Sequence, residues 1–437
     1  MPVKSRHGRF KSIEGAYAGL VGMFLALSLL KWGNPVIMDG QVGWPGSLAE
    51  WRVASWPISI GYFGFGLVLF ASIAFARRDV GVPLWVQSLP AAWLCWQAIA
   101  AVFSIQPALS WMVIPHFGVC VGLFFIGLHC FSNIERPLPF WIALVGGFAV
   151  VLAVGWHQHF VGLENMRRFL YSLPNWRELP PEFLNKVASE RIYSTLVYPN
   201  TLASVIILLT PPSLGLLGQL SRFPGMKRIG IGVLLTLSVG SLVWSGSKAG
   251  WLIALVQAIV FLLLGNFPRW LKISFAFSLL VLGLIGFAVK YQDYFQRGAT
   301  SMGARFDYWN AAWITITRAP FLGSGPGTFA IYYRELKQPA AEMTRLAHND
   351  YLQQASDSGL VGAIVFVGFW VVGLVSLYRN RSRSALINGA FIGIFGVALQ
   401  SFIEFGLYIP GVAWVTWFLF GWALSSRNAV DKSPRRS

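Results

Sequence analysis

The chain of 437 residues is 55% hydrophobic and only 12% charged, with a mean hydropathy of +0.59. Soluble domains carry about 25% charged residues, so a soluble globular protein is excluded. A net charge of +17 in a soluble protein would point to nucleic acid; in this composition, charge sorted across a membrane and an anionic ligand explain it better, and no nucleic-acid partner is expected.

The basic start, MPVKSRHGRFKSIEG, precedes a long apolar segment with no small-residue cleavage site and reads as a retained first helix. Apolar runs of roughly 18 residues or more read as transmembrane helices. Twelve qualify, at 14–32, 57–76, 83–103, 109–130, 138–157, 200–219, 229–246, 249–266, 271–289, 359–378, 385–403 and 410–425. The pair 229–246 and 249–266 must form a tight helical hairpin. Cys95, Cys120 and Cys130 all fall inside these segments without metal-like spacing and read as core residues.

Lysine and arginine then set an orientation. With the N-tail in the cytoplasm, the cytoplasmic pieces hold Lys4, Arg6, Arg9, Lys11, Arg77, Arg78, Arg136, Arg222, Lys227, Arg228, Arg269, Lys272, Arg379, Arg381 and Arg383. Arg427, Lys432, Arg435 and Arg436 in the C-tail bring these to 19 of the 34 basic residues, beside only four acids, Glu14, Asp79, Glu135 and Asp431. Both termini are therefore expected inside. The expected architecture is an all-α polytopic integral membrane protein of about 12 transmembrane helices. Helices 1–5 occupy 1–161, a first exported loop 162–198, helices 6–9 residues 199–289, a large exported loop 290–358, helices 10–12 residues 359–425, and a cytoplasmic tail 426–437. No internal repeat stands out, and only NAVDKSPRRS at the end reads as disordered.

Long loops are uncommon without function. These two carry Arg167, Arg168, Arg177, Lys186, Arg191, Lys290, Arg297, Arg305, Arg318, Arg334, Lys337 and Arg345 on a face where basic residues are normally scarce. An anionic ligand bound from outside accounts for them, as does a solvated surface facing anionic headgroups.

Four stretches carry candidate chemistry. In LAHNDYLQQASDSGLVG, His348 stands at a predicted helix start, with Leu352 and Ala355 on one face and a break at Gly359. The positive end of a helix dipole favours a neutral, base-competent imidazole, although a lone loop histidine is more often merely polar. In ARFDYWNAAWITITRAPFLGSGPGTF, Arg305, Trp309, Trp313 and Ile316 share a helical face that Pro320 ends. The turn through Gly323, Gly325 and Gly327 could cradle a phosphate, yet such turns are more often only turns. In SERIYSTLVYPNTLAS, Arg191 precedes a helix opening at Pro199-Asn200, as a ligand or an interfacial anchor. In WSGSKAGWLIAL, Lys248 sits in the outer turn of the hairpin, held near the membrane, where a snorkelling lysine is the simpler account.

Taken together and in this order, the four stretches resemble the O-antigen ligase and O-antigen polymerase superfamily. The matching residues are Arg191 with Pro199-Asn200, Ser247-Lys248-Ala249-Gly250, Arg305 through Gly327, and His348-Asn349 through Gly362, so the resemblance covers about 190–380. Two positions depart from the family pattern. Lys248 stands where arginine is usual, keeping the charge without the bidentate fork, and Asp357 stands where glutamate is commoner.

The resemblance implies transfer of a glycan from an undecaprenyl-pyrophosphate carrier to an acceptor hydroxyl on the periplasmic side of a bacterial inner membrane. The donor is already activated by its leaving group, so two needs remain: charge on the departing pyrophosphate must be stabilised, and the hydroxyl must lose a proton. Arg191 and Arg305 suit the first need, with Lys248 beside them, and His348 suits the second as general base. Ser247, Asn200 and Asn349 are the further substrate-binding candidates. Direct attack inverts the anomeric carbon. No carboxylate cluster stands out as a metal site, so neither metal nor cofactor is expected. The acceptor implied is lipid A-core, ahead of another lipid-linked repeat or a protein side chain. A lipid-linked glycan transporter would need ionisable residues deep in its helices, and few are present; Glu404 and Lys290 lie near ends. A non-catalytic scaffold leaves the four motifs unexplained.

Overall fold

The computed structural model describes residues 3–132, 134–179, 184, 187–220, 223–265, 268–296, 300–339, 341–379 and 384–431, with 3–11, 294–296, 300 and 426–431 as backbone alone. Lys186, Arg222, Arg297, Arg381, Arg383, Lys432, Arg435 and Arg436 of the charge pattern lie outside them.

A helix occupies each of the twelve apolar segments, and no strand occurs among the described residues. Lipid offers the backbone no partners, and a helix satisfies its own. In chain order the helices are α1 (Val3–Lys31), α2 (Leu48–Val53), α3 (Ile58–Ser72), α4 (Leu84–Val102), α5 (Pro107–Phe125), α6 (Leu138–His157), α7 (Leu163–Ser172) and α8 (Pro199–Gly218). There follow α9 (Pro224–Ser245), α10 (Lys248–Leu264), α11 (Arg269–Gln296), α12 (Thr300–Arg318), α13 (Phe329–Leu336), α14 (Asp350–Arg379), α15 (Ala385–Gln400) and α16 (Pro410–Asp431). Among the described residues, eight helices are long and apolar enough to cross a membrane, which makes the chain an all-α, multi-pass membrane protein. Two more, α10 and α15, are apolar but only 17 and 16 residues long. The 19-residue α4 is diluted by polar side chains that serve its neighbour: the Gln97 amide donates to Gln354 Oε1 at 2.9 Å and Ser358 Oγ at 2.7 Å on α14.

Several element ends differ from the sequence expectation. A π-helical turn carries α6 through Gly162 directly into α7, so the segment expected as the first loop opens as helix. At the far end α16 runs to Asp431, where NAVDKSPRRS was expected to be disordered; residues 432–437 lie outside the described ones. Cys120 and Cys130 are buried as expected, whereas Cys95 is exposed on the surface of α4.

Packing follows the rule for helices in lipid, where close approach replaces the hydrophobic drive. The α8–α15 pair shows it: Gly389 and Gly393 lie against the backbone of Pro211 and Leu208, and Gly215 against Ala385 and Leu386. Any side chain at these glycines would force the helices apart. Helix α14 breaks at Gly359, whose φ of 69° leaves the helical region and whose missing Cβ makes room for the Phe321 backbone. The carbonyl of Pro320 takes up the Leu360 N–H at 2.7 Å. North of this break, α14 is polar and buried from Gln353 to Ser358.

Candidate active site

The irregular stretch 401–409 between α15 and α16 is the floor of the site. Its sequence, SFIEFGLYI, leaves the α-helical path after Gln400, and the polar half of α14 holds it. Asp350 N–H donates to Ser401 O at 2.8 Å, Asp350 Oδ2 accepts from Leu407 N–H at 3.1 Å, and Asp357 Oδ2 accepts from Tyr408 Oη at 2.6 Å. These contacts fix where Glu404 points.

Glu404 is 6% exposed and is the hub of a charged cluster. Its Oε1 accepts from Arg305 Nη2 and from Asn200 Nδ2, both at 2.6 Å. Asn200 in turn accepts from Arg191 Nη2 at 2.9 Å. Arg305 also donates to Ile403 O at 3.2 Å and Ser301 O at 3.1 Å, while Arg191 Nε donates to Ser245 O at 2.7 Å. Burial alone would raise the Glu404 pKa; the His348 ring and the Arg305 guanidinium outweigh it and hold the carboxyl below its usual range. Burial pulls Arg191 below the usual arginine range, opposed by Glu404 and assisted by Arg305.

A cavity of about 330 Å³ opens over this cluster, lined by Arg191, Asn200, Lys248, Arg305 and Glu404 on its polar side and by Leu252, Phe287 and Met302 on its apolar side. The hairpin turn shapes one wall. Gly246 ends α9 at φ 61°, and a Cβ there would press on the Arg191 side chain. Ser247 caps α10 by accepting from Gly250 N–H at 3.2 Å, which leaves Lys248 as the first residue of α10, its Nζ 5.2 Å from the Tyr291 ring centroid.

His348 stands on the other side of Glu404 and does not line this cavity. Its Nδ1 lies 3.5 Å from Glu404 Oε2, longer than an ordinary hydrogen bond, and has no other partner among the described residues. The ring packs between Phe405 at 4.6 Å and Tyr308 at 5.6 Å. Burial first, then Glu342 and Tyr333, push the Tyr308 hydroxyl up to about 12, so it stays a neutral wall of the site. His348 has a left-handed backbone, φ 50°, rare for a non-glycine residue and frequent where function over-determines geometry. It precedes α14 by two residues; the N-cap is Asn349, whose Oδ1 accepts from Leu352 N–H at 3.0 Å.

Arg191, Asn200, Ser247, Lys248 and Arg305 thus meet at one cavity, with His348 and Asn349 across the carboxylate from it. Ser247, Asn349 and Asn200 have their side-chain oxygens engaged by protein donors. Packing decides two readings that the sequence left open. The glycine turn holds no free anion cradle: Ser324 N–H donates to Ser356 O at 2.9 Å, Gly325 N–H to Asp357 O at 2.8 Å, and Gly327 N–H to Asp357 Oδ2 at 2.8 Å. Nor do Arg305, Trp309, Trp313 and Ile316 form one packed stripe. Trp313 is 60% exposed, and α12 buries Tyr308, Ala311 and Ala312 against Phe329 and Tyr333. Glu404 is the residue that sequence reasoning set aside. Its signal was available, since it is the one charge between Arg383 and Arg427. Among the described residues, no group of three or more His, Cys, Asp or Glu is arranged to hold a metal ion.

These features define a multi-pass membrane protein in which Arg191, Lys248 and Arg305 line one cavity and His348 lies across the Glu404 carboxylate from it. Comparison with known proteins sharpens the class. Residues 233–367 match the O-antigen ligase family (Wzy_C). The matched region includes Lys248, Arg305 and His348 but neither Arg191 nor Glu404. An uncharacterized protein of Haemophilus influenzae is 27% identical over 158 residues, covering 31% of this chain and 40% of that relative.

Proposed function

We propose that the protein is a glycosyltransferase that moves a glycan from an undecaprenyl-pyrophosphate carrier to a hydroxyl of lipid A-core. The reaction takes place at the periplasmic face of the inner membrane, in a chain of twelve spans with both termini cytoplasmic. The observation that carries this reading is the convergence of Arg191, Lys248 and Arg305 on one half-apolar cavity, with His348 facing the carboxylate that binds Arg305.

The division of the cavity suits such a donor. Arg191, Arg305 and Lys248 take the pyrophosphate, and the apolar wall of Leu252, Phe287 and Met302 takes the start of the polyprenyl chain. Nε2 of His348 accepts the acceptor's hydroxyl proton as its oxygen attacks the anomeric carbon. The bond to pyrophosphate breaks on the opposite side, its electron pair leaves with the phosphate, and the configuration inverts. The basic groups compensate the developing charge in a site sheltered from water, without a divalent metal. Asn200, Ser247 and Asn349 hold the walls of the site.

The test is transfer of a labelled undecaprenyl-pyrophosphate glycan in membranes, with wild type and His348→Ala compared with and without EDTA. Label is expected on lipid A-core, insensitive to EDTA and lost in the variant. A ladder of label growing on the carrier would instead assign the protein as a polymerase of lipid-linked repeats, and label on a protein as a protein O-oligosaccharyltransferase. Normal transfer by a folded His348→Ala would overturn the base assignment.

A further inference from the structure

We infer that Glu404 is a positioning residue for the proposed reaction, orienting His348 with one carboxylate oxygen while the other holds the anion-binding arginine and asparagine. This rests on the assignment of His348 as general base.

The two oxygens of Glu404 face opposite halves of the site. Oε1 is saturated by Arg305 and Asn200 at 2.6 Å each, the pair that continues to Arg191. Oε2 looks only toward Nδ1 of His348, 3.5 Å away. Nδ1 is buried and has no hydrogen-bond partner among the described residues, so its proton has one acceptor direction available. A carboxylate on that side selects the tautomer with hydrogen on Nδ1, which leaves the Nε2 lone pair free to take a proton. When Nε2 takes the hydroxyl proton, the new positive charge is shared with Nδ1–H and faces Oε2. The proton on Nδ1 does not move. This is the orienting role an acid plays behind a histidine base in acyl-transfer triads, reached here with a glutamate 56 residues further along the chain than its histidine.

The geometry also links the two halves. Arg305 and Asn200 on Oε1 and His348 opposite Oε2 share one carboxylate, so donor binding and base orientation depend on one side chain. The charged and titratable groups facing Glu404 are Arg305 from α12, Arg191 from the segment before α8, Asp350 at the start of α14, and His348 itself.

The experiment compares wild type, Glu404→Gln, Glu404→Asp and His348→Ala as full-length protein in nanodiscs, measuring kcat and KM for the lipid-linked donor, with thermal unfolding as a check of folding. Glu404→Gln is expected to lower kcat by about 100-fold or more, as loss of an orienting carboxylate does elsewhere. Its KM for the donor is expected to change far less than its kcat. Glu404→Asp, which keeps the charge, is expected to recover part of the rate. A folded Glu404→Gln with wild-type kcat, beside an inactive His348→Ala, would overturn the role of Glu404 while leaving the base in place. An active His348→Ala would overturn the underlying assignment instead. A Glu404→Gln that raises only KM would reduce Glu404 to a clasp for Arg305 and overturn the inference.

Discussion

Asp357 and Glu404 are both buried in the same corner of this molecule, and their surroundings differ in kind. Asp357 is fully buried and accepts from Gly327 N–H at 2.8 Å, Gln353 Nε2 at 2.9 Å and Tyr408 Oη at 2.6 Å, all neutral donors. Glu404 is held by a guanidinium and an amide, faces an imidazole, and borders a cavity of about 330 Å³. The first arrangement ties the glycine turn, α14 and the 401–409 stretch together, and all its bonds are spent. The second leaves polarity unspent toward open space. Burial of an acid therefore says little by itself; the charge of its partners and access to a cavity separate chemistry from architecture.

The comparison is broken most severely through Arg305. Arg305→Ala leaves Glu404 buried without its cation, and removing one partner of such a pair costs about 3 kcal/mol or more. A marked fall in thermal stability is expected together with loss of transfer, read by unfolding of purified protein and by the glycan assay. If the variant were as stable as wild type, Glu404 would be held by something other than this ion pair.

Asp357 separates charge from hydrogen bonding. Asp357→Ala strands three buried donors at roughly 1 kcal/mol each, about 3 kcal/mol in all. Asp357→Asn retains an acceptor for Gly327 and Tyr408, loses the bond to Gln353, and is expected to cost only about 1 kcal/mol with transfer preserved. A strong loss of transfer by a stable Asp357→Asn would place this carboxylate in the chemistry and erase the contrast with Glu404.

Lys248 tests the open side of the comparison. It begins α10 at the cavity wall, so Lys248→Ala is expected to raise the KM for the lipid-linked donor about 10-fold, equivalent to ~1.4 kcal/mol, with little change in thermal stability. Lys248→Arg restores the fork usual at this position in the family and is expected to lower KM again. An unchanged KM in Lys248→Ala would reduce the lysine to a membrane anchor.

The smallest effect is in acid. The folded-state pKa of Glu404 lies below its unfolded value, because His348 and Arg305 together outweigh burial. Its contribution to stability is complete above the unfolded glutamate pKa of about 4.3 and disappears as the pH falls further through the folded value. Unfolding temperatures are expected to drop in that window, and Glu404→Gln is expected to flatten part of the drop. An identical acid profile in the variant would exclude Glu404 as a source.

Much of the fold was legible because lipid imposes a simple code. Each of the twelve apolar runs became helix, and the Gly246–Ser247 hairpin turn lies where the spacing demanded. Arg191, Lys248, Arg305 and His348 were each identifiable from local sequence. The glycine turn is only a turn, the commoner of the two readings, but why it is so lay outside local sequence: the Gly325 and Gly327 N–H groups find their acceptor in Asp357, some thirty residues away. Trp313 misled for a related reason: a helical period shows which residues share a face, while the partner that covers a face is a matter of tertiary packing.

By itself the sequence determined the class of protein and picked out Arg191, Lys248 and Arg305, which the structure brings to one cavity. Some twelve long apolar runs admit only helices in a bilayer, and charged side chains near their ends must then serve orientation or a ligand. Only the tertiary structure placed Glu404 between Arg305 and Asn200 on one side and His348 on the other. Its partners Arg305 and Asn200 lie 99 and 204 residues away in the chain. A contact of that span leaves no local pattern, because it exists only once α8, α12 and the 401–409 stretch have been packed around one buried charge.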